Sequence, residues 1–416
     1  MKPDDKIEMP KTQELSDKIN EREINFMEGK VLALTGQCEM KVMSCPVPEA
    51  DDNSIVIKTE ASLICGSDAH MVKLNRKNPS ANGHEFSGRI VSIGKNANLT
   101  VFSYGGKLNL GDRIVVYPHI TCGRCDSCIS HGRGVCGTCE EDFCYGASSR
   151  WQDDPGRPNT NVNLYPHFKG GFGEYVYIYP GSYVWKIPDE MPGEIAALMD
   201  PFAVAMRAVE MSMTEMGGVQ EGLSTSTRAL VIGAGPIGIM TGLLLRTMGV
   251  EQLVFTSHTP YRLELAKELT AADECINLTG MTHEERVSKV REATDGGASL
   301  VIQCANNQSA CLDGLLMVRK LGTYIEVGAP MRIMNDKEVT INLAKYIFES
   351  NARICGLLAL SPSTYERAFR FIAKRYKEIP FDRFISHRFN ELEQYMEHIE
   401  MMSKPGYMKA AYIPAD

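Results

Sequence analysis

The sequence predicts an α/β protein: a β-rich region, then a parallel sheet wrapped by helices, then a short mixed tail. Two changes in the residue pattern along the 416-residue chain and one glycine-rich turn support this prediction. Residues 30–117 contain short apolar runs separated by turns, whereas residues 228–339 alternate β-branched strands with helical stretches. Such alternation is typical of a parallel sheet with helical crossovers. The turn at 233–238 follows the first strand of the alternating region and opens a helix.

The individual elements follow from hydrophobic periodicity. In the β-rich region we expect strands at Val31–Thr35, Ile55–Thr59, Ser87–Gly94 and Arg113–Tyr117. A helix is expected at Ile195–Met211, and a last strand at Tyr407–Ile413. The alternating region contains predicted strands at Ala229–Ile232, Gln252–Thr256, Leu300–Gln303 and Thr323–Val327, separated by predicted helices at Ile237–Met248, Pro260–Thr270, His283–Ala293 and Ser309–Lys320.

Composition narrows the functional classes. The net charge of −8 argues against a nucleic-acid-binding protein and against docking on anionic membranes, because both need a basic surface. Residues 1–29 mix acidic and basic side chains without an apolar stretch, so we expect no export signal, and a soluble, cytoplasmic protein. Thirteen cysteines in a reducing compartment indicate metal ligands or redox pairs before disulfides.

The glycine-rich turn is the first chemical signal. Gly233, Gly235, Pro236, Ile237 and Gly238 form a G-x-G-x-x-G pattern between a predicted strand and a predicted helix. Glycines there permit a tight turn and let the backbone approach a pyrophosphate at the helix N-terminus. The pattern therefore predicts a dinucleotide site.

The end of the second strand of the alternating region bears on the choice of dinucleotide. An acidic residue at this position usually binds the ribose 2′-hydroxyl, and it would repel a 2′-phosphate. This chain has Ser257 instead, followed by His258 and Arg262. The sequence therefore favours NADP, with the alternative that Arg262 is a solvated helix residue and NAD binds.

A cluster of cysteines is the second signal. Its members are Cys122, Cys125, Cys128 and Cys136. Four thiolates in a short loop suit a closed tetrahedral zinc site, which can shape a lobe that has no hydrophobic core. An iron–sulfur cluster is the alternative on spacing alone. The nearby Cys139 and Cys144 leave the fourth ligand open at this point.

A third set is dispersed along the chain. Cys65, His84 with Glu85, and Asp200 combine a soft thiolate, an imidazole and carboxylates, which make a good zinc set. Sequence spacing does not show whether these side chains meet.

Together these motifs resemble the zinc-containing medium-chain dehydrogenase/reductase family, which includes alcohol, sorbitol, threonine and formaldehyde dehydrogenases. The resemblance runs from about residue 30 to residue 416. The segments that carry it are Gly83–Gly88, Gly111–Ile114, the four-cysteine lobe, Gly170–Tyr175, the dinucleotide turn and Ile385–Phe389.

The resemblance implies a GroES-like β-rich catalytic domain interrupted by a Rossmann domain with a doubly wound parallel sheet. We expect an extension at 1–29, a catalytic domain at 30–201 with a zinc lobe at 122–136, a dinucleotide domain at 202–356, and the end of the catalytic domain at 357–416. Relatives form dimers or tetramers, so a homo-oligomer is expected.

The resemblance also implies roles for single residues. Cys65, His84 and Asp200 correspond to ligands of a catalytic zinc, and Glu85 to a residue that either binds the zinc or stays behind it. Cys136 corresponds to the fourth ligand of a second, structural zinc. Ser67 would accept the substrate proton and pass it through the cofactor ribose to His70, while Asp68 would orient the ligand His84.

The implied activity is hydride transfer between an alcohol carbon and a nicotinamide dinucleotide, with polyols, secondary alcohols and amino alcohols all open. The alternatives are a zinc-free quinone or enoyl reductase of the same superfamily, and a non-enzymatic dinucleotide-sensing protein. One departure from the family is the long stretch at 137–170. We expect residues 152–170 to form a surface loop, and the whole stretch to be a solvated insertion, a cover over the cleft or a subunit contact.

Overall fold

A computed structural model describes residues 27–149, 154, 156–213, 222–328 and 341–415. Most of the predicted N-terminal extension and Trp151 lie outside the described residues. Among the described residues, no helix is long and apolar enough to span a membrane.

The described strands follow one another along the chain. They are β1 (Glu28–Gly36), β2 (Glu39–Pro46), β3 (Ile55–Leu63), β4 (Ser80–Ala81), β5 (Glu85–Ile93), β6 (Phe102–Tyr104), β7 (Arg113–Val116), β8 (His119–Ile120), β9 (Phe143–Cys144), β10 (Ser148–Ser149), β11 (Tyr175–Ile178), β12 (Tyr183–Lys186), β13 (Arg228–Ile232), β14 (Gln252–Ser257), β15 (Glu274–Asn277), β16 (Ala298–Gln303), β17 (Val318–Glu326), β18 (Arg353–Gly356), β19 (His387–Phe389) and β20 (Ala410–Tyr412).

The described α-helices are α1 (Asp68–Met71), α2 (Ala97–Thr100), α3 (Asp126–His131), α4 (Gly193–Ala197), α5 (Met199–Ser212), α6 (Pro236–Thr247), α7 (Pro260–Thr270), α8 (His283–Ala293), α9 (Gln308–Met317), α10 (Pro362–Arg375) and α11 (Tyr395–Met401). Short 3₁₀ or π turns occur at 344–348, 381–384 and 392–394.

One large sheet combines strands from both ends of the chain. Its order is β19-β20-β3-β5-β7-β12-β6, and β11 pairs with residues 55–58 of β3, whereas β20 pairs with residues 62–63 of the same strand. The mostly antiparallel pairing suits a sheet built from short strands with turns. Because β19 and β20 come from the tail, residues 385–413 return to the β-rich region after the alternating region.

Two small sheets flank the large one. The long antiparallel pair of β1 and β2 is joined by β4, and the strands β8, β9 and β10 form a second three-stranded sheet. The second small sheet begins just before the cysteine lobe and ends just after it, so it frames that lobe.

The alternating region forms a six-stranded parallel sheet in the order β15-β14-β13-β16-β17-β18. In sequence terms this is the order 3-2-1-4-5-6 of a Rossmann fold, in which dinucleotides bind where the strand order reverses. Here the reversal lies between β13 and β16. Near-continuous apolar strands such as Arg228–Ile232, buried on both faces, explain why the sheet is parallel and helix-covered.

The sequence-based expectation for residues 152–170 is wrong in its second half. Residues 159–162 and 168–169 are buried; Ala81 donates its backbone N–H to Thr160 O, and Val162 donates to Pro79 O. The Lys169 ammonium is fully buried and donates to Asn159 Oδ1 and to Asn161 O, both at 2.8 Å. The segment therefore packs beside β4, while Gly156, Asn163 and Tyr165 are exposed among its described residues.

Candidate active site

A cleft of about 600 Å³ lies at the reversal point of the parallel sheet. Gly233, Gly235 and Pro236 form one wall, directly after β13. Gly233 has a φ of +97°, a conformation that side-chain-bearing residues rarely adopt. A Cβ on Gly235 would meet no atom within 4 Å, so this position leaves open space for a ligand.

Gly238 and Ile237, the other two residues of the turn, contribute to packing rather than to the wall of the cleft. A Cβ on Gly238 would lie 1.9 Å from Gly233 O, so glycine is required where α6 crosses the turn. Ile237 packs against the main hydrophobic core. Helix α6 begins with Pro236 at its first position and directs its N-terminal N–H groups toward the cleft. This geometry can accommodate a pyrophosphate.

The three residues proposed to select the dinucleotide all line the same cleft. Ser257 ends β14 and accepts a hydrogen bond from the Thr259 N–H at 3.1 Å, and His258 is exposed beside it. Arg262 uses Nε and Nη2 to bind Tyr407 O, while burial lowers the pKa of its guanidinium below the ordinary value. Arg262 is therefore an anchored cation with Nη1 still unbonded among the described residues.

At one end of the cleft, three of the predicted zinc ligands come together. The Sγ of Cys65, a ring nitrogen of His84 and a carboxylate oxygen of Glu85 all lie within 4.8 Å of one another. Glu85 Oε1 and His84 Nδ1 are buried, and neither has a hydrogen-bond partner among the described residues. Soft and hard donors that converge with unsatisfied buried atoms fit a zinc ion.

Two charged residues hold this set in place. Lys409 Nζ lies 2.7 Å from Glu85 Oε2 and donates to Ile64 O at 3.1 Å, and both members of the ion pair are buried. Burial lowers the pKa of Lys409, but the facing Glu85 outweighs it, so the net pKa is raised and the lysine stays charged. Asp68 accepts the Cys65 N–H at 2.9 Å and lies 3.8 Å from His84 Nδ1, as expected of a residue that orients the ligands.

Asp200 is not part of the group. Its Oδ1 accepts a hydrogen bond from the Tyr365 hydroxyl, and this bond turns the carboxylate toward α10. Burial raises the pKa of Glu85, and Asp200 is near enough to raise it further. Of the four predicted ligands, Cys65, His84 and Glu85 lie together, and Asp200 lies beside them.

Ser67 and His70 occupy one turn at the edge of the cleft. Ser67 is the N-cap of α1, and its carbonyl accepts the His70 N–H at 2.9 Å. His70 Nε2 contacts the Asn306 side chain, which comes from the loop after β16. Burial, and then Lys73, lowers the pKa of His70, so the imidazole is neutral at pH 7 and able to accept a proton.

The thiols that lie close together in the cysteine lobe differ from the predicted set by one residue. The four thiols that lie within 4.8 Å of one another are those of Cys122, Cys125, Cys128 and Cys139. The Sγ atoms of Cys122 and Cys128 are 3.9 Å apart, and a tetrahedral zinc with Zn–S bonds near 2.3 Å requires about 3.8 Å.

Backbone N–H groups also point at these sulfur atoms. The N–H of Cys125 donates to Cys122 Sγ at 3.3 Å, and the N–H of Cys122 donates to Cys139 Sγ at the same distance. Backbone hydrogen bonds lower the pKa of Cys125 to about 6, whereas burial raises that of Cys139 to about 12. Four such close thiols ionise together only around a cation, so the donor set fits zinc.

Cys136, predicted as the fourth ligand, lies elsewhere, and this corrects the assignment. Its Sγ accepts the Leu360 N–H at 3.4 Å, and its own N–H donates to Leu360 O at 3.0 Å. Burial raises the pKa of Cys136, but the facing His119 ring outweighs burial and lowers it overall. His119 Nδ1 in turn lies 2.9 Å from Asp142 Oδ2. The backbone bonds to Leu360 fix Cys136 against the tail of the chain rather than inside the lobe.

Comparison with known proteins identifies the family. Residues 51–189 match the alcohol dehydrogenase GroES-like domain, and residues 236–374 match the zinc-binding dehydrogenase domain. The chain belongs to the zinc-containing medium-chain dehydrogenase/reductase family.

Relatives of this family cover most of the chain. It is 27% identical over 342 residues to a sorbitol dehydrogenase of Bacillus subtilis, which covers 80% of this chain and 83% of the relative. It is also 27% identical over 400 residues to the L-threonine 3-dehydrogenase of the same organism, covering 94% of this chain and 100% of the relative. This medium-chain dehydrogenase is therefore an oxidoreductase of the alcohol and polyol type.

Solved structures share the fold. An alcohol dehydrogenase of Thermotoga maritima superposes with a TM-score of 0.78 at 22% identity, over 94% of this chain and 100% of that one. A zinc-binding dehydrogenase of Sinorhizobium meliloti bound to NADP superposes with a TM-score of 0.74 at 24% identity, over 93% of this chain and 100% of that one.

Some residues of the site could not be found in the sequence. Lys409 stands 324 positions after Glu85, in a tail with no metal-site motif, and only the pairing of β20 with β3 brings the two together. Tyr365 and Asn306 likewise have no local signature. Cys139 did carry a signal, because it lies only three positions after Cys136 in the cysteine-rich lobe.

Proposed function

We propose that this medium-chain dehydrogenase binds zinc at Cys65, His84 and Glu85 and transfers hydride between an alcohol carbon and a nicotinamide dinucleotide. The observation that carries the proposal is that the zinc set and the glycine-rich turn lie at one cleft. Gly66 and Lys409, which adjoin the zinc set, line this cleft together with Gly233. A dinucleotide with its pyrophosphate at the turn would extend toward the zinc set. A zinc-free reductase or a dinucleotide-sensing protein has no use for this arrangement.

When bound, the zinc ion would supply a Lewis acid that favours loss of the alcohol proton and polarises a carbonyl in the reverse direction. Side chains of the protein set the net charge around the proposed zinc ion. With zinc bound, Cys65 and Glu85 would contribute two negative charges, and Lys409, 2.7 Å from Glu85, would offset part of the charge of that carboxylate. Burial of the ion pair excludes water from this side of the site and strengthens its electrostatic effect.

Proton movement would use α1. Ser67 stands two positions after Cys65, next to the substrate oxygen in this proposal, and His70 stands at the cleft, where a cofactor ribose would pass between them. Asn306 contacts His70 Nε2 and would orient the ring. Because His70 has a lowered pKa, it takes up a proton only transiently and releases it to solvent.

We further propose that NADP is the preferred dinucleotide. The absence of a carboxylate at Ser257 removes repulsion of a 2′-phosphate, while Arg262 provides a positive charge fixed at the cleft. The NADP bound to the S. meliloti relative is in line with this proposal. Two zinc ions per chain are proposed, one at Cys65 and one in the cysteine lobe.

A homo-oligomer is proposed through the edge of the parallel sheet. Strand β18 has no second partner among the described residues. Ile354 in this strand is 39% exposed, and Phe348 just before it is 85% exposed. An apolar, unpaired edge of this kind suits pairing with the same edge of a second copy.

The test is a reduction screen with NAD and with NADP over polyols, secondary alcohols and amino alcohols. We expect reduction by at least one class and a preference for NADP. In Ser257→Asp the preference should shift toward NAD by roughly 10-fold or more, because a new carboxylate would face the 2′-phosphate. Ser226→Asp, on the exposed turn before β13, is the matched control. Failure to reduce either dinucleotide with any class would contradict the proposed activity.

A further inference from the structure

A second cavity, which we name the basic groove, lies away from the dinucleotide cleft. Its volume is about 620 Å³, in the range of small-molecule sites. Its polar lining comes from the cysteine lobe, from α5 and from the start of α10. These residues are His131, Arg133, Thr138, Arg207, Ser361 and Ser363.

The charge of the groove is one-sided. None of the described residues that line it is acidic, although the whole chain carries a net charge of −8. Elsewhere exposed arginines are paired, as Arg367 is with Glu210 and Arg124 with Glu141. Arg133 and Arg207 form no ion pair with the described residues, and the Arg133 guanidinium lies 5.3 Å from the Phe102 ring centroid. Two unpaired guanidinium groups on separate elements therefore face one space.

The third wall is a helix start. Helix α10 has 14 residues, and its N-cap Ser361 makes no side-chain capping bond. Instead Ser361 Oγ lies 2.9 Å from Ser363 Oγ, so two hydroxyl groups stand together at the positive end of the helix. Pro362 has no N–H, and the N–H groups of Thr364 and Tyr365 donate to Ser361 O, so the N–H of Ser363 is the one left open by the described residues at this helix start. Together with the helix dipole, it favours an anion.

Aromatic rings complete the groove. Tyr104 and Tyr183 line it, and Tyr104 stacks on Trp185 with ring centroids 5.0 Å apart. The stacking fixes the Tyr104 ring as a rigid apolar face next to the charged wall. A ligand with an anionic end and an apolar or ring-shaped body matches this division.

We propose that the basic groove binds the phosphate group of a small molecule. Two guanidinium groups, hydroxyl donors and a helix start supply donors from several directions, which suits a tetrahedral oxyanion with several acceptor oxygens. The site is separate from the dinucleotide cleft, since the described lining residues of the two cavities do not overlap. It does not depend on the proposed alcohol oxidation.

The test is isothermal titration calorimetry at low ionic strength, in which inorganic phosphate is titrated into the full-length, zinc-loaded protein. Excess NADP, or NAD if NADP does not bind, is present throughout so that the pyrophosphate turn is already occupied. We expect saturable binding by the wild type. In Arg133→Gln and in Arg207→Gln, the affinity should fall by roughly 10-fold or more, because each loses a charge-assisted hydrogen bond.

Arg124→Gln is the matched control, because Arg124 lies in the same lobe but is ion-paired with Glu141 outside the groove. It should bind phosphate as the wild type does. Zinc content and melting temperature show whether each variant is folded. If Arg207→Gln unfolds, Arg133→Gln still tests the proposal, because Arg133 is exposed and its replacement should not disturb the fold. No saturable binding, or binding that Arg133→Gln leaves unchanged, would overturn the proposal, the second result indicating an adventitious ion only.

Discussion

Replacement of Cys139 by serine tests the corrected ligand set of the cysteine lobe. In the structure its Sγ completes a four-thiol group and accepts the Cys122 N–H at 3.3 Å. Structural zinc sites contribute about 10–16 kcal/mol through four ligands, so one thiolate accounts for about 3 kcal/mol on average. Cys139→Ser should therefore weaken zinc binding by roughly 100-fold.

Cys136→Ser is the matched control. Its Sγ accepts a hydrogen bond from the Leu360 N–H, also contacts the side chains of His119 and Tyr117, and is not a member of the four-thiol group. A serine hydroxyl can take part in the same bonds. Zinc should stay bound, and the loss of stability should be about 1 kcal/mol for each hydrogen bond that the serine does not restore. Serine is only slightly smaller than cysteine, so the replacement should leave the lobe intact.

The assay is competition for zinc with a chromophoric chelator, combined with metal analysis of the purified proteins. We expect two zinc ions per chain in wild type and in Cys136→Ser, and release of one at low chelator concentration in Cys139→Ser. Easy release from Cys136→Ser together with tight retention in Cys139→Ser would refute the geometry and restore the assignment made from sequence.

Two further predictions concern regions outside the cleft. Burial lowers the pKa of Lys169 to about 7 from its ordinary value of 10.5. The unfolded chain therefore binds more protons between these values, and stability should rise with pH across that window by up to about 5 kcal/mol. Denaturant unfolding of Lys169→Met should lack this rise, and an unchanged pH slope would show that Lys169 is not its source. Phe348→Glu places a charge at the exposed edge near β18, so light scattering should show dissociation of the proposed homo-oligomer into smaller species. Leu110→Glu, at another exposed position, should keep the mass of the wild type. Equal masses for the wild type and both variants would exclude this edge as the interface.

The sequence predicted the four central strands of the parallel sheet, because each contains an apolar run, and its helices, because they carry local start signals. It did not predict the edge strands β15 and β18, which are short and only partly buried. Helices α7 and α8 begin and end where periodicity placed them, and Pro260 and Thr282 mark their starts. The predicted helix at Ile195–Met211 is two helices, α4 and α5, which meet at Leu198. The division of the chain at residues 201 and 356 stays a prediction.

Contacts between distant segments were harder to predict. Donor type suggested Cys65, His84 and Glu85, and the family resemblance implied that they act as ligands, although their spacing could not show that they meet. Neither signal could identify Lys409, whose position depends on the register of β20 against β3. The resemblance selected Cys136 over Cys139 from spacing alone, while the choice in space depends on which sulfur the loop turns inward.

The most direct test of the central claim is the zinc content and alcohol-dependent turnover of Cys65→Ser, with the exposed Cys38→Ser as its control. If Cys65, His84 and Glu85 hold a catalytic zinc, Cys65→Ser should keep its fold, contain one zinc ion instead of two, and lose nearly all turnover, while Cys38→Ser matches the wild type. Two zinc ions and undiminished turnover in Cys65→Ser would contradict the account, because the proposed site would then be neither metal-binding nor catalytic.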